Sequence, residues 1–203
     1  MEHNDQGQPN DQVENDFQQP VGELVPGWAA AQRPFGQTLT GRTVVLESLA
    51  PKHADALHAG LVDAPPGHWT YMPWGPFDSV ESYAEWVAGA ASADNIDYLA
   101  ICSPAGEPLG VAGYLNIVPG MGSIEVGGIT YTPQLQGSIM ATEAMYLMMA
   151  HAFEDLGYRR YEWKCDSRNA PSRSAAERLG FLYEGTFAQH FIVKGRNRDT
   201  AWF

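Results

Sequence analysis

Residues 131–181 constrain the fold of this chain more than any other segment. They read, in order, as a strand end, a polar loop, a long amphipathic helix, a second strand and a short helix. A helix that connects two parallel strands of one sheet almost always makes a right-handed crossover. The segment therefore predicts a parallel strand pair, with its second strand at residues 160–166 and the long helix, residues 138–156, packed on the sheet.

The loop before the long helix is a candidate anion site. It runs straight into the helix, and the first backbone N–H groups of a helix have no partners within it and carry a partial positive charge. Such a junction can bind a phosphate without any basic side chain. The residues assigned to this site are Gln136, Gly137, Ser138, Ile139, Met140 and Ala141. The alternative is that the loop only caps a core helix.

A second segment supports the same interpretation. Residues 169–172 read Asn-Ala-Pro-Ser, and residues 177–181 read Glu-Arg-Leu-Gly-Phe. Asn is favoured at the start of a helix and Gly just after its end. These residues therefore predict a short helix that is capped by Asn169 and stops at Gly180.

Together, these two segments resemble the acyl-CoA core of the GNAT superfamily of N-acetyltransferases. Three further runs, at residues 141–144 (Ala-Thr-Glu-Ala), 162–165 (Glu-Trp-Lys-Cys) and 194–199 (Lys-Gly-Arg-Asn-Arg-Asp), are similar to the branch that includes the ribosomal-protein alanine and serine N-acetyltransferases. The resemblance covers residues 40–203. It implies a mixed α+β fold with a mostly antiparallel twisted sheet, one parallel crossover, a splay between the fourth and fifth strands, and helices on both faces.

The rest of the domain reads as one strand, two helices, an antiparallel meander and a final hairpin. Apolar residues at helical spacing predict a helix at residues 51–62, and Asp78 or Ser79 is placed to cap the next one. Short apolar runs between turn residues predict the strands. Their ranges are 44–49, 98–103, 109–117 and 123–131, with the last hairpin formed by residues 181–194 and 200–203.

Length and charge divide the chain into three parts. At 203 residues it is long enough for one domain of ordinary size. Residues 1–19 are acidic and nearly free of apolar groups, which predicts a disordered arm. Residues 20–40, with several prolines and glycines, predict an extended segment that packs Trp28 and Phe35 on the domain. Residues 41–203 form the domain itself.

Composition also excludes several classes of partner. The net charge of −12 disfavours nucleic acid, because the folded part is acidic as well as the arm. No apolar run approaches the roughly 20 residues that span a bilayer, and no basic n-region precedes one, so we expect no membrane association and a cytoplasmic location. Cys102 and Cys165 have neither metal nor disulfide spacing and are expected to be buried free thiols.

The resemblance implies acetyl-CoA as the co-substrate and no metal. In the family pattern a glycine of the loop lets the backbone approach the pyrophosphate, and Ile139 occupies that position here. Gly127-Gly128 interrupt their strand, as glycines do at a bulge. The resemblance places the pantetheine arm in a gap that opens there, with backbone N–H groups near Ile129 and Tyr131 against the thioester carbonyl. A bulge with only a folding role is the alternative.

A carboxylate precedes that bulge. Acetyl transfer to nitrogen needs a neutral amine, and at pH 7.4 deprotonation costs roughly 4 kcal/mol for a lysine-type amine but less than about 1 kcal/mol for an α-amine. Glu125 is the candidate general base, acting through a water molecule, because it is a carboxylate in an otherwise apolar strand that faces the cleft. The alternative is a solvated carboxylate on the outer face of the sheet.

The short helix offers the remaining catalytic group. Many family members protonate the departing thiolate with a tyrosine in this helix, but the corresponding residue here is Ala176. Ser172, in the first turn, is the candidate for a hydrogen bond to the sulfur, as in the ribosomal-protein branch. Asn169 is a candidate for binding the pantetheine amide, and its alternative role is that of a simple N-cap.

Residues 68–77 hold four large aromatic side chains without a periodic pattern. The resemblance places this segment where the acceptor enters, so Trp69, Tyr71 and Trp74 are candidate walls of the acceptor pocket. Aromatic walls in an acidic domain favour a cationic amine. A structural plug over the core and a homodimer contact are the alternatives.

These residues predict an acetyltransferase that moves an acetyl group from acetyl-CoA directly to a primary amine, either a protein N-terminus or a small cationic amine. Two alternatives stay open. One is a regulatory or degenerate module that binds acyl-CoA without catalysis, which Ile139 and Ala176 favour. The other is a non-enzymatic protein that holds a basic partner with its acidic arm and aromatic loop.

Overall fold

The computed structural model describes residues 13–203, and an eight-stranded sheet runs through most of them. Two short strands, β1 (Val13–Glu14) and β2 (Pro20–Val21), pair only with each other. The strands of the large sheet are β3 (Leu39–Thr40), β4 (Val45–Ser48), β5 (Asp97–Cys102), β6 (Pro108–Val118), β7 (Ser123–Tyr131), β8 (Arg160–Asp166), β9 (Gly185–Val193) and β10 (Arg196–Trp202). The helices are α1 (Ala54–Leu61), α2 (Val80–Ala91), α3 (Ile139–Ala150) and α4 (Ala170–Arg178).

The strand order in the large sheet is β3-β4-β5-β6-β7-β8-β10-β9. Strands β7 and β8 are parallel, with α3 as the crossover between them, and the other neighbouring pairs in this sheet are antiparallel. Helices α3 and α4 cover one face, and α1 and α2 pack on the other face over β5 and β6. The predicted mixed α+β fold, with its single parallel crossover, is confirmed.

A bulge in β7 ends its pairing with β8. Between Val111 and Gly113 of β6, the partner residues on β7 run from Thr130 to Gly127, so β7 has one residue more than β6. The parallel ladder with β8 stops one residue before the bulge, at the pair Val126–Trp163. Beyond it, β8 pairs with β10. The predicted splay between these two strands is therefore present.

Gly128 is required at this bulge for two reasons. Its φ of +61° lies in the left-handed region, which L side chains rarely adopt. In addition, a Cβ atom on Gly128 would lie 2.6 Å from Cε1 of Tyr98 on β5. A side chain at this position would therefore clash with the ring that closes the bulge from one face of the sheet.

Helix α3 differs from the prediction at its C-terminal end. The predicted helix spans residues 138–156, but the α-helix ends at Ala150 and continues as a π-helical turn, His151–Asp155. In this turn the N–H of Leu156 donates to the carbonyl of His151. The wider turn keeps His151 and Leu156 buried together.

The segment before the domain is ordered along most of its described length. Val13–Glu14 and Pro20–Val21 form a small hairpin, in which the Asn15 side chain accepts from the amides of Phe17 and Gln19. Further on, Trp28 Nε1 donates to the carbonyl of Gly120 at 3.1 Å. Of residues 1–19, predicted to be a disordered arm, residues 1–12 lie outside the described residues, and residues 13–19 belong to this hairpin.

The last hairpin begins later than predicted, and its turn is shorter and comes earlier. Its strands are β9 and β10, so residues 181–184 precede the hairpin, and residues 196–199, predicted as turn or loop, belong to β10. Both cysteines, Cys102 and Cys165, are buried free thiols, as predicted. No helix within residues 13–203 combines the length and the apolar character that a membrane crossing requires.

Asp97 is a buried carboxyl group that should make stability depend on pH. It is 7% exposed, and its Oδ2 has no hydrogen-bond partner among residues 13–203. Burial raises the pKa of Asp97 to about 6, although His151 opposes the shift, whereas an unfolded Asp has a pKa of about 3.9. Because the folded protein retains this proton at higher pH than the unfolded chain, stability falls as the pH rises through this window.

We therefore expect Asp97→Asn to raise the free energy of unfolding at pH 8 by roughly 2–3 kcal/mol and to leave it unchanged near pH 3.5, where the carboxyl is protonated in both states. Urea titrations of both proteins at the two pH values measure this difference. Glu107→Gln, at an exposed turn, is the control. A variant that is less stable than the parent at both pH values would contradict the expectation.

Candidate active site

The start of α3 has the predicted features of an anion site. Ser138 is its N-cap, with Oγ accepting from the N–H of Ala141 at 3.1 Å. The loop turns at Gly137, whose φ is +67°. The backbone N–H groups of Gly137, Ile139 and Met140 have no acceptor among the described residues. These three donors, together with the helix dipole, can bind an oxyanion.

The predicted loop residues differ in their exposure. Gln136, Gly137 and Ile139 are exposed, Ser138 and Met140 are half-buried, and Ala141 is buried against the core. Ile139 is 77% exposed, so its side chain packs little against the protein. An anion that reaches the N–H groups would therefore meet an apolar side chain at the point where the family pattern has glycine.

Arg178 supplies a basic group at this site, which the sequence reasoning missed. It is the last residue of α4, and its Nη1 donates to Oγ1 of Thr142 in the first turn of α3 at 3.2 Å. The two residues are far apart in sequence, and no local pattern connects them. The guanidinium therefore lies beside the candidate anion site, although the sequence suggested a site without a basic side chain.

The gap between β7 and β8 exposes one edge of β7. The N–H of Thr132 donates to Leu109 of β6, and amide directions alternate along a strand. By this alternation, the N–H groups of Ile129 and Tyr131 point away from β6, toward the gap. Burial raises the pKa of the Tyr131 hydroxyl, which keeps it protonated.

The start of α4 lies beside β8. Oδ1 of Asn169 accepts from the N–H of Ser172 at 3.2 Å, so Asn169 is an N-cap and its Nδ2 is left for another partner. Oγ of Ser172 accepts from Nε1 of Trp163 at 3.1 Å. Burial raises the pKa of the Cys165 thiol, and the nearby Ser172 hydroxyl opposes that rise. Ser172 therefore faces β8 just beyond the end of the β7–β8 ladder.

Glu125 lies on the opposite face of the sheet from α3 and α4. It is 6% exposed, so the alternative of a solvated carboxylate is wrong. Oε2 of Glu125 accepts from Nδ2 of Asn116 at 2.6 Å and from Nζ of Lys164 at 2.8 Å. Burial and the charge of Glu125 raise the pKa of the Tyr98 hydroxyl to about 12.

Lys164 connects two carboxylates, which the sequence reasoning also missed. Its Nζ lies 2.8 Å from Oε2 of Glu125 and 2.8 Å from Oε2 of Glu162. Arg160 extends these ion pairs into a charge chain by binding Glu162 and Glu184. Burial alone would raise the pKa of Glu162, but the hydrogen bonds from Lys164 and Arg160 outweigh it and lower that pKa. Charges of alternating sign thus lead from the surface to Glu125.

The aromatic loop, residues 68–77 between α1 and α2, contacts α2 on one side and the β8–α4 connection on the other. Trp69 packs edge-on against Phe77, and Trp74 lies 5.1 Å from Trp86 of α2. On the other side, the hydroxyl of Tyr71 donates to the carbonyl of Arg168 at 3.1 Å.

A second bond attaches the same loop to the last hairpin. Nζ of Lys194, which follows β9, donates to the carbonyl of Trp69 at 2.8 Å. The loop therefore reaches from α2 to the β8–α4 connection and the β9–β10 turn. The carbonyl of Trp69 and the hydroxyl of Tyr71 thus lie beside the last strands, whereas the side chains of Trp69 and Trp74 pack with Phe77 and α2.

One group of potential metal ligands occurs within residues 13–203, formed by Glu47, His53 and Cys102. Nδ1 of His53 accepts from the N–H of Ala50, so its proton is on Nε2, which binds Glu47 at 2.8 Å. Burial raises the pKa of the Cys102 thiol to about 11. A metal would have to displace the proton of Nε2 and ionise this thiol, so the group fits a hydrogen-bonded cluster better than a metal site.

A cavity of about 630 Å³ lies away from all the predicted site residues. It is lined by residues at the N-terminal ends of β7 and β8 and at the C-terminal end of α4, among them Ser123, Arg160 and Leu179. Because the strands are parallel, the gap after Val126 is at their other ends. This cavity therefore shares with the candidate active site only the ion-paired residues Arg160, Glu162 and Glu184.

The crossover, the gap and the loop at α3 define a GNAT domain, and comparison with known proteins agrees. The family model "Acetyltransferase (GNAT) domain" matches residues 43–182. A GCN5-related N-acetyltransferase from Brucella melitensis is 40% identical, with a TM-score of 0.85, over 88% of this chain and 82% of its own. The chain belongs to the GNAT family of acetyltransferases.

Other solved structures extend this likeness. A GNAT-family protein from Chromobacterium violaceum is 37% identical, with a TM-score of 0.85, over 91% of this chain and 93% of its own. RimL, a ribosomal L7/L12 alpha-N-protein acetyltransferase, is 20% identical with a TM-score of 0.71, over 86% of this chain and 97% of its own, and shares the fold. No curated protein sequence matches the chain.

Arg178 should strengthen binding of a phosphate-bearing ligand at α3. We expect Arg178→Gln to raise the Kd for acetyl-CoA about three- to fivefold, because an exposed charge contributes modestly to an ion pair. The difference should shrink at high salt, where such pairs are screened. Calorimetric titration at low and high ionic strength measures both effects.

Arg173→Gln is the matched control, because Arg173 is on the same helix but donates to Ser167 and lies over the ring of Tyr183. Its Kd should stay at the parent value. Equal affinities for Arg178→Gln and the parent protein would show that this guanidinium does not interact with the phosphates.

Proposed function

We propose that the protein transfers an acetyl group from acetyl-CoA to a primary amine by direct attack. The observation that carries this proposal is the gap after the Val126–Trp163 pair, which leaves the amides of Ile129 and Tyr131 without a neighbouring strand on one side. The loop of residues 136–141 lies on the α3 side of the sheet and Glu125 on the other. A donor held in the gap would be accessible to an acceptor from the second side.

The loop and α4 are assigned to the CoA part of the donor. Gly137, Ile139 and Met140 offer free N–H groups to the pyrophosphate, and Arg178 adds a positive charge. Asn169 has Nδ2 left to bond a pantetheine amide, because only its Oδ1 is used by the cap. Acetyl-CoA, which GNAT enzymes use as co-substrate, supplies a thioester whose acyl carbon accepts the attacking nitrogen.

The proton of the amine is assigned to Glu125. When the nitrogen attacks, the new C–N bond forms, the C–S bond breaks and the nitrogen loses a proton. Glu125 is buried, ionisable and next to the gap, and it takes that proton through one water molecule. Asn116 and Lys164 hold the carboxylate in one orientation by their bonds to Oε2, which leaves Oε1 for the water.

The gap also provides groups for the negative charge that develops on the carbonyl oxygen and on the sulfur of the thioester. The N–H of Ile129 or Tyr131 donates to the oxyanion, and such a donor in a dry site contributes roughly 3–4 kcal/mol. The hydroxyl of Ser172 donates to the departing sulfur. Ala176 is 0% exposed in the core, so that position of α4 offers no alternative donor.

The acceptor is assigned to the face that carries Glu125. Trp69 and Tyr71 form part of the loop over this face, and Glu125 and Glu162 supply negative charge for an ammonium group. A protein N-terminus and a small cationic amine both fit this chemistry. The cytoplasmic location, the absence of nucleic acid or membrane partners, the absence of a metal and the homodimer stay predictions.

A second candidate function is binding of acyl-CoA without catalysis. It is favoured by two features of the chain: Ile139 is exposed where the family has glycine, and Ala176 is in the core where many members have a tyrosine. Ala176 removes a catalytic hydroxyl without touching the loop, whereas Ile139 lies in the loop assigned to the pyrophosphate. The non-enzymatic interaction function has less support, because Trp69 and Trp74 are engaged within the domain.

One experiment tests these functions together. The protein is titrated calorimetrically with acetyl-CoA, and thiol release is measured in parallel with a panel of peptides and small amines. Binding with amine-dependent thiol release supports the transferase. Binding without release supports the acyl-CoA module, and no binding contradicts the assignment of the loop.

Removing the carboxylate at position 125 should slow acetyl transfer. We expect Glu125→Gln to lower kcat/KM about 100-fold at pH 7.4, because general base catalysis typically contributes 10²–10⁴-fold. The loss should be larger for a lysine-type amine than for an α-amine, since the former costs roughly 4 kcal/mol to deprotonate. Initial rates of thiol release with both kinds of amine measure this.

Glu184→Gln serves as the control for a change in the charge chain, because Glu184 binds Arg160 at the exposed end of the chain. Its kcat/KM should stay close to that of the parent. If Glu125→Gln changed kcat/KM by less than about twofold for both amines, Glu125 would not be the base.

A further inference from the structure

The cavity at the N-terminal ends of β7 and β8 has the size of a small-molecule site. Its volume is about 630 Å³, and ligand pockets in proteins are typically about 300–1,000 Å³. Acetyl transfer does not account for it, because the gap after Val126 lies at the opposite ends of these strands. The side chains that line this cavity therefore define a ligand of their own.

One part of the lining is apolar. It is formed by side chains from the turn before β7, from α3 with its π-helical turn, and from the residues after α4: Met121, Met149, Phe153, Leu179, Phe181 and Leu182. Three of these are exposed, Leu182 by 81%, Met121 by 74% and Phe153 by 42%. Exposed apolar side chains that are grouped around one cavity mark a binding site more often than scattered ones do. A ligand with an apolar body would cover them.

The carboxylates of the lining are already paired. Arg160 donates to Oε1 of Glu162 and to both carboxylate oxygens of Glu184. Oε2 of Glu162 lies 2.8 Å from Nζ of Lys164. All four oxygens therefore have a cationic partner, and an ammonium group on a ligand would have to displace one of these bonds.

Arg159 is the cationic group of the lining that is left over. Its side chain is exposed and lies over the ring of Trp28, with 5.9 Å between the guanidinium carbon and the ring centre. It has no ion-pair partner among residues 13–203. Its backbone N–H donates to the carbonyl of Gly122, which places Arg159 beside the start of β7.

The free guanidinium specifies an anionic head group. Its planar N–H donors match the two oxygens of a carboxylate and can bind both at once. Ser123 of β7 also lines the cavity and offers a hydroxyl. A zwitterion would bring an ammonium group that finds no free carboxylate, and a second negative charge would meet either Glu162 and Glu184 or the apolar lining.

We infer that this cavity binds a small amphipathic carboxylate, an aliphatic acid of medium chain length. Its carboxylate pairs with Arg159, and its chain covers the apolar lining between α3 and the residues after α4. The site is distinct from the one proposed for acetyl transfer, and ligand binding here does not depend on that reaction.

A chain-length series tests the apolar part of the site. The full protein is titrated calorimetrically with butanoate, hexanoate and octanoate at pH 7.4. We expect the Kd to fall about threefold for each added methylene, slightly less than the roughly fourfold of complete burial.

Two probes with the same chain test the head group. Octylammonium and octan-1-ol should each bind about tenfold more weakly than octanoate, because only octanoate forms a charge-assisted bond with Arg159.

Two variants at exposed positions locate the ligand. Arg159→Met keeps the apolar stem and should raise the Kd for octanoate about tenfold while leaving that for octan-1-ol unchanged. Leu182→Ser should raise both Kd values about threefold. Because both side chains are exposed, we expect the thermal midpoints of the two variants to match that of the parent protein.

Arg33→Met is the matched control for loss of a positive charge. Arg33 is also exposed and lies over an aromatic ring, that of Phe35 at 5.6 Å, but it does not line the cavity. This variant should bind octanoate like the parent protein.

Three results would overturn the inference. The first is a Kd that does not change with chain length, or no saturable binding of octanoate. The second is binding of octan-1-ol or octylammonium that is as tight as that of octanoate. The third is an unchanged octanoate affinity in Arg159→Met.

A titration in the presence of CoA separates this site from the proposed donor site. Equal octanoate affinity with and without CoA supports a separate site, whereas competition by CoA would assign the cavity to the donor and overturn the inference. Since no acetyl group is transferred in these titrations, a failure of the proposed function would leave their outcome unchanged.

Discussion

The close approach of Gly128 to Tyr98 is the constraint on which the candidate site depends. The left-handed backbone at Gly128 and the ring next to it allow no side chain at this position. The bulge turns the rest of β7 away from β8, and β8 continues beside β10. A gap in the middle of a sheet leaves backbone N–H groups unpaired in a protected place, where a ligand can bind them at little cost in reorganisation.

The gap lies between groups that can bind an anion, on one side of the sheet, and ionisable groups on the other. Ile124 and Val126 of β7 face α3 and α4 in the core, and Glu125, between them, faces the opposite side. The anion-binding groups are consequently on one side of the sheet and the ionisable groups on the other. Lys164 and Glu162 extend the second side with charges that are already paired and held in place. In the proposed reaction, the sheet would keep the two substrates apart until they meet at the gap.

Sequence predicted the central part of this site better than its periphery. The bounds of β7 and β8 and the caps Ser138 and Asn169 follow from local patterns: apolar runs between turn residues and known cap preferences. The contacts of Arg178 and Lys164 have no local signal, because each depends on residues that are distant in sequence. The sequence pattern could not say whether Glu125 is solvated, because a strand carboxylate can face either side of a sheet. Its low exposure in the structure excludes the solvated alternative.

The arrangement around Ser172 supports the proposal that α4 assists a leaving thiolate without a tyrosine. Position 176 lies in the core, so a hydroxyl there would have to displace packing atoms. Ser172 is one turn earlier and beside β8, and its oxygen accepts the indole N–H of Trp163. A serine hydroxyl has one hydrogen to donate, and accepting from Trp163 leaves that hydrogen unused and restricts its direction. A thiolate is a strong hydrogen-bond acceptor, and in the proposed reaction this hydroxyl would stabilise it as the C–S bond breaks.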